Sequence, residues 1–203
     1  MQLVYFASPM CSWCWGFSPV IQKLNKSPVV SNIRLVLTPF RIDTTEPMDE
    51  ALRSYVLGQW QKVHQTTQQP FDFRFAMPED FIYNTRLACM AIKAFAKQLP
   101  DQELEYVHAL QHAYYTENVD PTKQEVLLGI AASFALDIEL FASDLSDNNI
   151  ASGLEQDFLF CQKLAVQSYP TLLIEKQGNY NVLANGYAEY QEVIKKIEAC
   201  EVS

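Results

Sequence analysis

The chain has 203 residues, a net charge of −9, 49% hydrophobic residues and 19% charged ones. That length holds one compact domain or one domain carrying a large insertion, and the composition excludes a disordered chain. The acidic balance, with no Lys/Arg cluster to neutralise a polyanion, excludes phosphate-backbone binding, so no nucleic-acid partner is expected.

Residues 2–7, QLVYFA, form a short apolar run rich in Val, Tyr and Phe, as a buried strand requires. From Trp13 to about Lys26 the pattern turns helical, with Phe17, Val20, Ile21 and Leu24 at i, i+3, i+4 and i+7. The run NIRLVLTPF (32–40) returns to strand character and stops at Pro39. Helices are expected next at 47–64, 84–99, 101–117, 122–136, 137–145 and 148–167, with Asn84, Asp101 and Thr122 as N-caps. QTTQQPFDFRFAMPED (65–80) is the long irregular stretch. Strands return at 171–176 and 180–184, joined by a turn at Gln177-Gly178-Asn179 in which Gly178 supplies a positive φ. A last helix is expected at 188–200. The fold class is therefore α/β, with residues 1–43 and 161–203 sharing one sheet and residues 44–160 forming an all-helical insertion.

The N-terminal MQLVYFASPM has neither the basic region nor the apolar core of an export signal. No window approaches the ~20 apolar residues of a membrane span. A cytoplasmic protein with no membrane partner is the expectation. In a reducing compartment the five cysteines are thiols by default, and a close pair is catalytic or metal-binding rather than a structural bridge.

One close pair exists, in SPMCSWCWGFSP (8–19), at the junction of the first strand and the first helix. Cys11 stands at the helix N-terminus, where unpaired N–H groups and the dipole favour a thiolate. Cys14 follows one turn later. The division of labour is that Cys11 attacks a disulfide and Cys14 resolves the mixed disulfide. Half a zinc site and two inert thiols are the alternatives. Zinc needs four ligands, and only His108-x3-His112 has suitable spacing, beside the stripe Leu104, Val107, Leu110 and Tyr114. No metal is expected.

QSYPTLLIE (167–175) sets Pro170 just before a strand. An ordinary trans proline is allowed there. A cis Tyr169–Pro170 bond would instead open the Tyr169 backbone to an extended peptide, or to the peptide part of glutathione, by strand addition. Trp13 is expected to be exposed as an apolar contact for substrate, Trp15 to be packed under the insertion, and Phe17 to be core. Phe71, Phe73 and Phe75 alternate; packing against the insertion is the first reading, a groove near the cysteines the second. Tyr187, Ala188 and Glu189 open the last helix, where a carboxylate could bind free N–H groups.

With both features in place the chain resembles the thioredoxin superfamily and, more narrowly, the DsbA-like family, a thioredoxin fold with an inserted helical domain. The resemblance spans essentially the whole chain and rests on MCSWCWGF, NTRLACMAIKAF, LQHAYYTENVD and AVQSYPTLLIE. It looks most like the FrnE-like dithiol–disulfide oxidoreductases. Kappa-class glutathione transferases and hydroxychromene-carboxylate isomerases share the architecture, commonly with a serine in place of the cysteine pair. The resemblance implies Cys11 as nucleophile, Cys14 as resolving cysteine, Ser12 and Trp13 as the dipeptide that tunes the thiolate and meets substrate, and Tyr169 with a cis Pro170 as the substrate-binding loop. It implies no tightly bound cofactor, disulfide-containing proteins or peptides as partners, and glutathione as a candidate co-substrate; monomers and dimers both occur among such relatives. Keeping both cysteines favours disulfide exchange over a glutathione-dependent transferase or isomerase, and over a non-catalytic zinc- or partner-binding module. One departure stands out. Many members carry a buried acid six residues before the first cysteine, and here that position is Tyr5, a poor base at neutral pH. Activation of Cys14 is therefore expected to rely on water or another group.

Overall fold

The computed structural model describes the backbone of residues 2–202 and the side chains of residues 2–200. Strand β1 (Gln2–Ala7) is buried on both faces and lies inside the sheet, as such a strand must. It pairs in parallel with β2 (Asn32–Leu37) and antiparallel with β3 (Thr171–Lys176), and β3 pairs antiparallel with β4 (Asn179–Asn185). The sheet order is β2-β1-β3-β4. Leu3, Tyr5 and Ala7 face α1 (Ser12–Asn25) and α8 (Tyr190–Val202), meeting Phe17, Ile21, Val193 and Ile197. Val4 and Phe6 face the other way, onto Cys161 and Phe160 near the end of α7 (Asn148–Lys163). The β3–β4 hairpin turns on Gln177 and Gly178, both at positive φ (56° and 80°). Two such residues make the tight two-residue turn whose twist matches the strands.

Between β2 and β3 the chain is helical: α2 (Glu50–Thr67), α3 (Arg86–Gln98), a 3-10 turn at 100–102, α4 (Glu103–Glu117), α5 (Gln124–Ala131), α6 (Ile138–Asp144), then α7. The structure moves several expected boundaries. The helix expected at 122–136 ends at Ala131, and that expected at 148–167 ends at Lys163, with Ala165 at φ 52° just beyond. Asn84 is not the N-cap of α3. Thr85 holds that position, while the Asn84 side chain accepts from the Arg86 N–H at 2.8 Å. Asp101 lies inside the 3-10 turn rather than capping α4. Thr122 gives no cap to α5; its N–H and hydroxyl instead donate to Asp120, an Asx turn ahead of the helix. Asn84 thus serves the first N–H of α3 from one residue further out, and Thr122 serves a preceding turn instead of a helix end, a competition the sequence pattern does not decide.

Two contacts fix α2 against the start of α1. Gly16 lets the helices approach: a Cβ built there would stand 2.7 Å from Val63 Cγ1. Pro19, inside α1, has no N–H to give the carbonyl four residues back, which is that of Trp15. The Gln69 side-chain amide fills the gap, donating to Trp15 O at 3.0 Å. On the opposite flank Asp157 of α7 is buried, accepts from the Leu37 N–H at 2.9 Å and pairs with Lys93 of α3 at 2.5 Å. A buried carboxylate persists only with partners of this kind. Helix α7 is continuous across the expected boundary at 160/161 and ties the insertion to the sheet.

Candidate active site

Strand β1 ends at Ala7, and the chain turns through Ser8, Pro9 and Met10 into α1. Cys11 is the N-cap, with φ −92° and ψ 115°; its N–H donates to Ser8 O at 3.2 Å and its carbonyl accepts from Trp15 at 3.0 Å. Its side chain caps nothing, and the first turn of α1 contains no acid. No carboxylate in that turn competes with the sulfur for the helix end. Both cysteines are buried free thiols in this structure.

Their environments push them apart. The Cys14 thiol donates to the Cys11 sulfur and lowers its pKa; burial opposes this, and the N–H groups of Cys14 and Trp13 add to the lowering. Cys14 is pushed the other way, first by burial and then by its role as donor to Cys11. The Tyr5 hydroxyl stands as a donor to Cys14 and partly offsets that rise. Tyr5 is itself buried, and burial raises its phenol well above the usual range, so it remains protonated and is no base for Cys14.

The Tyr169–Pro170 bond is cis. It brings the Tyr169 carbonyl to 3.8 Å from Cys11 Sγ, while Pro170 O accepts from Gly186 at 2.7 Å and so continues the β3–β4 pairing. Cys11, Ser12, Trp13 and Tyr169 line one groove of about 450 Å³. Trp13 is half-buried rather than exposed, because α2 comes close enough for Gln59 Oε1 to accept from its indole at 3.4 Å. Trp15 is buried against Tyr115 and His108 and donates to Pro70 O at 2.9 Å, and Phe17 is core. A slightly larger cavity, about 500 Å³, lies beside Ser168 and Val182 and contains no sulfur. The cysteines, not the volume, mark the site.

Several lining residues escape sequence reasoning. Phe40 and Arg41 come from the loop after β2, Tyr55 and Trp60 from α2, and Tyr83 from the segment before α3. For the aromatic ones the only signal is aromatic density, which core positions share, and Arg41 carries none. Tyr114 and Tyr115 lie in the LQHAYYTENVD motif, and both are wholly buried against Trp60 beneath the site. Phe71 and Phe75 pack on Trp60 within the insertion, not along the groove. At residues 187–189, where a carboxylate could have bound free N–H groups, the Glu189 N–H donates to the chain's own Glu192 at 3.2 Å. His108 bonds Ser18 Oγ at 2.8 Å, and burial lowers its pKa. Among the described residues no three His, Cys, Asp or Glu side chains converge as a metal set.

Comparison with known proteins gives a consistent picture. Residues 5–195 match a family model described as thioredoxin. A protein from Nitrosomonas europaea, provisionally described as a disulfide isomerase, superposes with a TM-score of 0.90 at 26% identity, covering 99% of this chain and 97% of that one. The cytosolic disulfide reductase DsbM from Pseudomonas aeruginosa superposes at 0.82 with 23% identity over the whole of both chains, a likeness of fold. Among curated proteins, the ClpXP adapter protein SpxH of Bacillus subtilis (strain 168) is 22% identical over 202 residues, covering 96% of this chain and 66% of its own length. The chain thus spans about two thirds of such relatives.

Proposed function

This chain belongs to the thioredoxin family, carrying the DsbA-like form of the fold, and from that premise we propose that it is a thiol–disulfide oxidoreductase working through Cys11 and Cys14. The observation that carries the reading is the opposed pair of thiols at the head of α1. One is held toward the thiolate by donors from the other and from the helix end; its partner is held as a thiol.

The step balances without a bound cofactor. The Cys11 thiolate attacks one sulfur of the substrate disulfide, forming a mixed disulfide and expelling the other sulfur as a thiolate, which takes a proton from water. Cys14 then loses its proton and attacks Cys11 Sγ, breaking the mixed disulfide and releasing the second substrate thiol. Two electrons have passed to the substrate, and the protein carries a Cys11–Cys14 disulfide that an external thiol must reduce. Run backwards, the same cycle oxidises a dithiol. Tyr169 and the cis Pro170 would hold the substrate backbone beside Cys11, with Ser12 and Trp13 flanking it. The proposed substrates are protein, peptide or small-molecule disulfides. Glutathione is the proposed returning thiol; the structure of DsbM from Pseudomonas aeruginosa with GSH supports this by analogy of fold. Among the described residues no helix is long and apolar enough to cross a membrane. With five free thiols and a cytosolic structural neighbour, this supports a cytoplasmic site of action.

The name of the curated relatives favours a second reading, an adapter that binds a protein partner without turnover. Turnover of bis(2-hydroxyethyl) disulfide with reduced glutathione as donor separates the two. Wild type is expected to turn over. Cys11→Ser should be inactive, and Cys14→Ser should stall with one substrate half covalently attached to Cys11, visible by mass. A Cys11→Ser protein as active as wild type would refute the exchange reading.

A further inference from the structure

The groove beside Cys11 has an electrostatic character opposite to that of the molecule. The chain carries 24 acidic and 15 basic residues, yet no Asp or Glu lines the groove, and Arg41 is its one charged side chain. Arg41 sits at φ 53° in the loop after β2, a left-handed conformation unusual for a residue with a Cβ. Its guanidinium lies 4.8 Å from the Tyr83 ring centre and 5.9 Å from that of Phe40. The two rings are nearly perpendicular to each other, at 84°, and hold the guanidinium by cation–π attraction, which uses none of its N–H donors. The N–H donors lie in the plane and stay available for a two-point contact with a carboxylate.

Among the described residues no internal group accepts from them. Among the described residues no carboxylate pairs with Arg41; Asp43, two residues on, pairs at 2.9 Å with Arg86 instead. Both Arg53 and Arg86, by contrast, have acceptors within the protein. An arginine held by aromatic rings, free of partners and sharing a groove with a reactive sulfur is placed to receive an anion from outside.

We propose that Arg41 selects carboxylate-bearing small disulfides, pairing with the substrate carboxylate while Cys11 meets its sulfur. The inference rests on the exchange reading above and names the substrate class of that site. The bond changes are those of the exchange cycle: a dianionic disulfide such as 3,3′-dithiodipropionate takes two electrons from the Cys11/Cys14 dithiol and leaves as two mercaptopropionates, one proton being added to each sulfur. The groove, about 450 Å³, accommodates a molecule of that size. Ser12, Trp13 and Tyr55 offer it no competing charge.

The test is stopped-flow oxidation of the pre-reduced protein by three disulfides of similar length: 3,3′-dithiodipropionate, bis(2-hydroxyethyl) disulfide and cystamine. Each rate is divided by that of the same disulfide with free dithiothreitol. The expected order is dianion, neutral, dication. Arg41→Gln is expected to reduce the dianion-to-neutral ratio about tenfold, the worth of one charge-assisted contact. Arg41→Lys should keep part of the preference, and Arg41→Glu should shift it toward cystamine. A wild-type ratio near one, or a ratio unmoved in Arg41→Gln and Arg41→Glu, would overturn the selectivity while leaving exchange intact. Failure of the wild type to be oxidised by any of the three would overturn exchange itself, and the selectivity with it.

Discussion

Tyr5 occupies the position where a proton-accepting acid would stand, and its chemistry differs from that of an acid in a definite way. A buried carboxylate can take the Cys14 proton; a phenol that stays protonated can only donate to the sulfur once the proton has gone. Tyr5 thus lowers the cost of the Cys14 thiolate without generating it. Removing the hydroxyl in Tyr5→Phe should raise the Cys14 pKa further. The second exchange, measured as decay of a preformed mixed disulfide on Cys11 at pH 8, should slow by about three- to tenfold, the worth of one hydrogen bond to a charged sulfur. An unchanged decay would show that Tyr5 is only packing. The cysteine pair at the head of α1 and the proline loop beside it are legible in the sequence because their signals are local. The Trp13–Gln59 contact and the place of Arg41 are not, since both depend on where distant segments of the chain come to rest.

At the scale of elements, the site depends on how closely α2 approaches α1. Gly16 sets that distance, and Val63, itself fully buried and β-branched, has little freedom to move aside. Gly16→Ala gains about 1 kcal/mol of helix propensity but forces a contact costing about 1–3 kcal/mol. The net expectation is a loss of up to about 2 kcal/mol in urea unfolding, together with slower oxidation of the protein by disulfides as the α2 wall of the groove shifts outward. A stabilised variant would mean that the helices separate without strain. The repair of the Pro19 gap by Gln69 belongs to the same interface. Nothing in the sequence links those two residues, which lie in different elements far apart along the chain. Strand and helix identity follows apolar periodicity, which is why the element order is legible. Helix ends are decided by single turns, which is why Asn84, Asp101 and Thr122 each lie one or two residues from the cap expected of them.

Across the whole molecule, one sheet carries the cysteine loop and the cis-proline loop on neighbouring strands, β1 and β3, and the inserted helices supply the far wall of the groove. That α/β arrangement with an all-helical insertion can be read from the alternation of strand and helix patterns along the chain. The interior aromatic cluster of Trp60, Tyr83, Tyr114 and Tyr115 cannot, because it draws on three separate segments of the insertion. The cysteine pair is itself buried, so the donors to Cys11 act in a medium of low dielectric. Everything proposed for this protein follows from the asymmetry between the two thiols in that setting. Alkylation of the reduced protein by iodoacetamide from pH 5 to 10, with each cysteine followed by mass, measures it directly. Cys11 should react with a midpoint below the ~8.5 of a free thiol and Cys14 should stay unmodified well above it. Both thiols titrating together near that value, or Cys14 reacting first, would contradict the account.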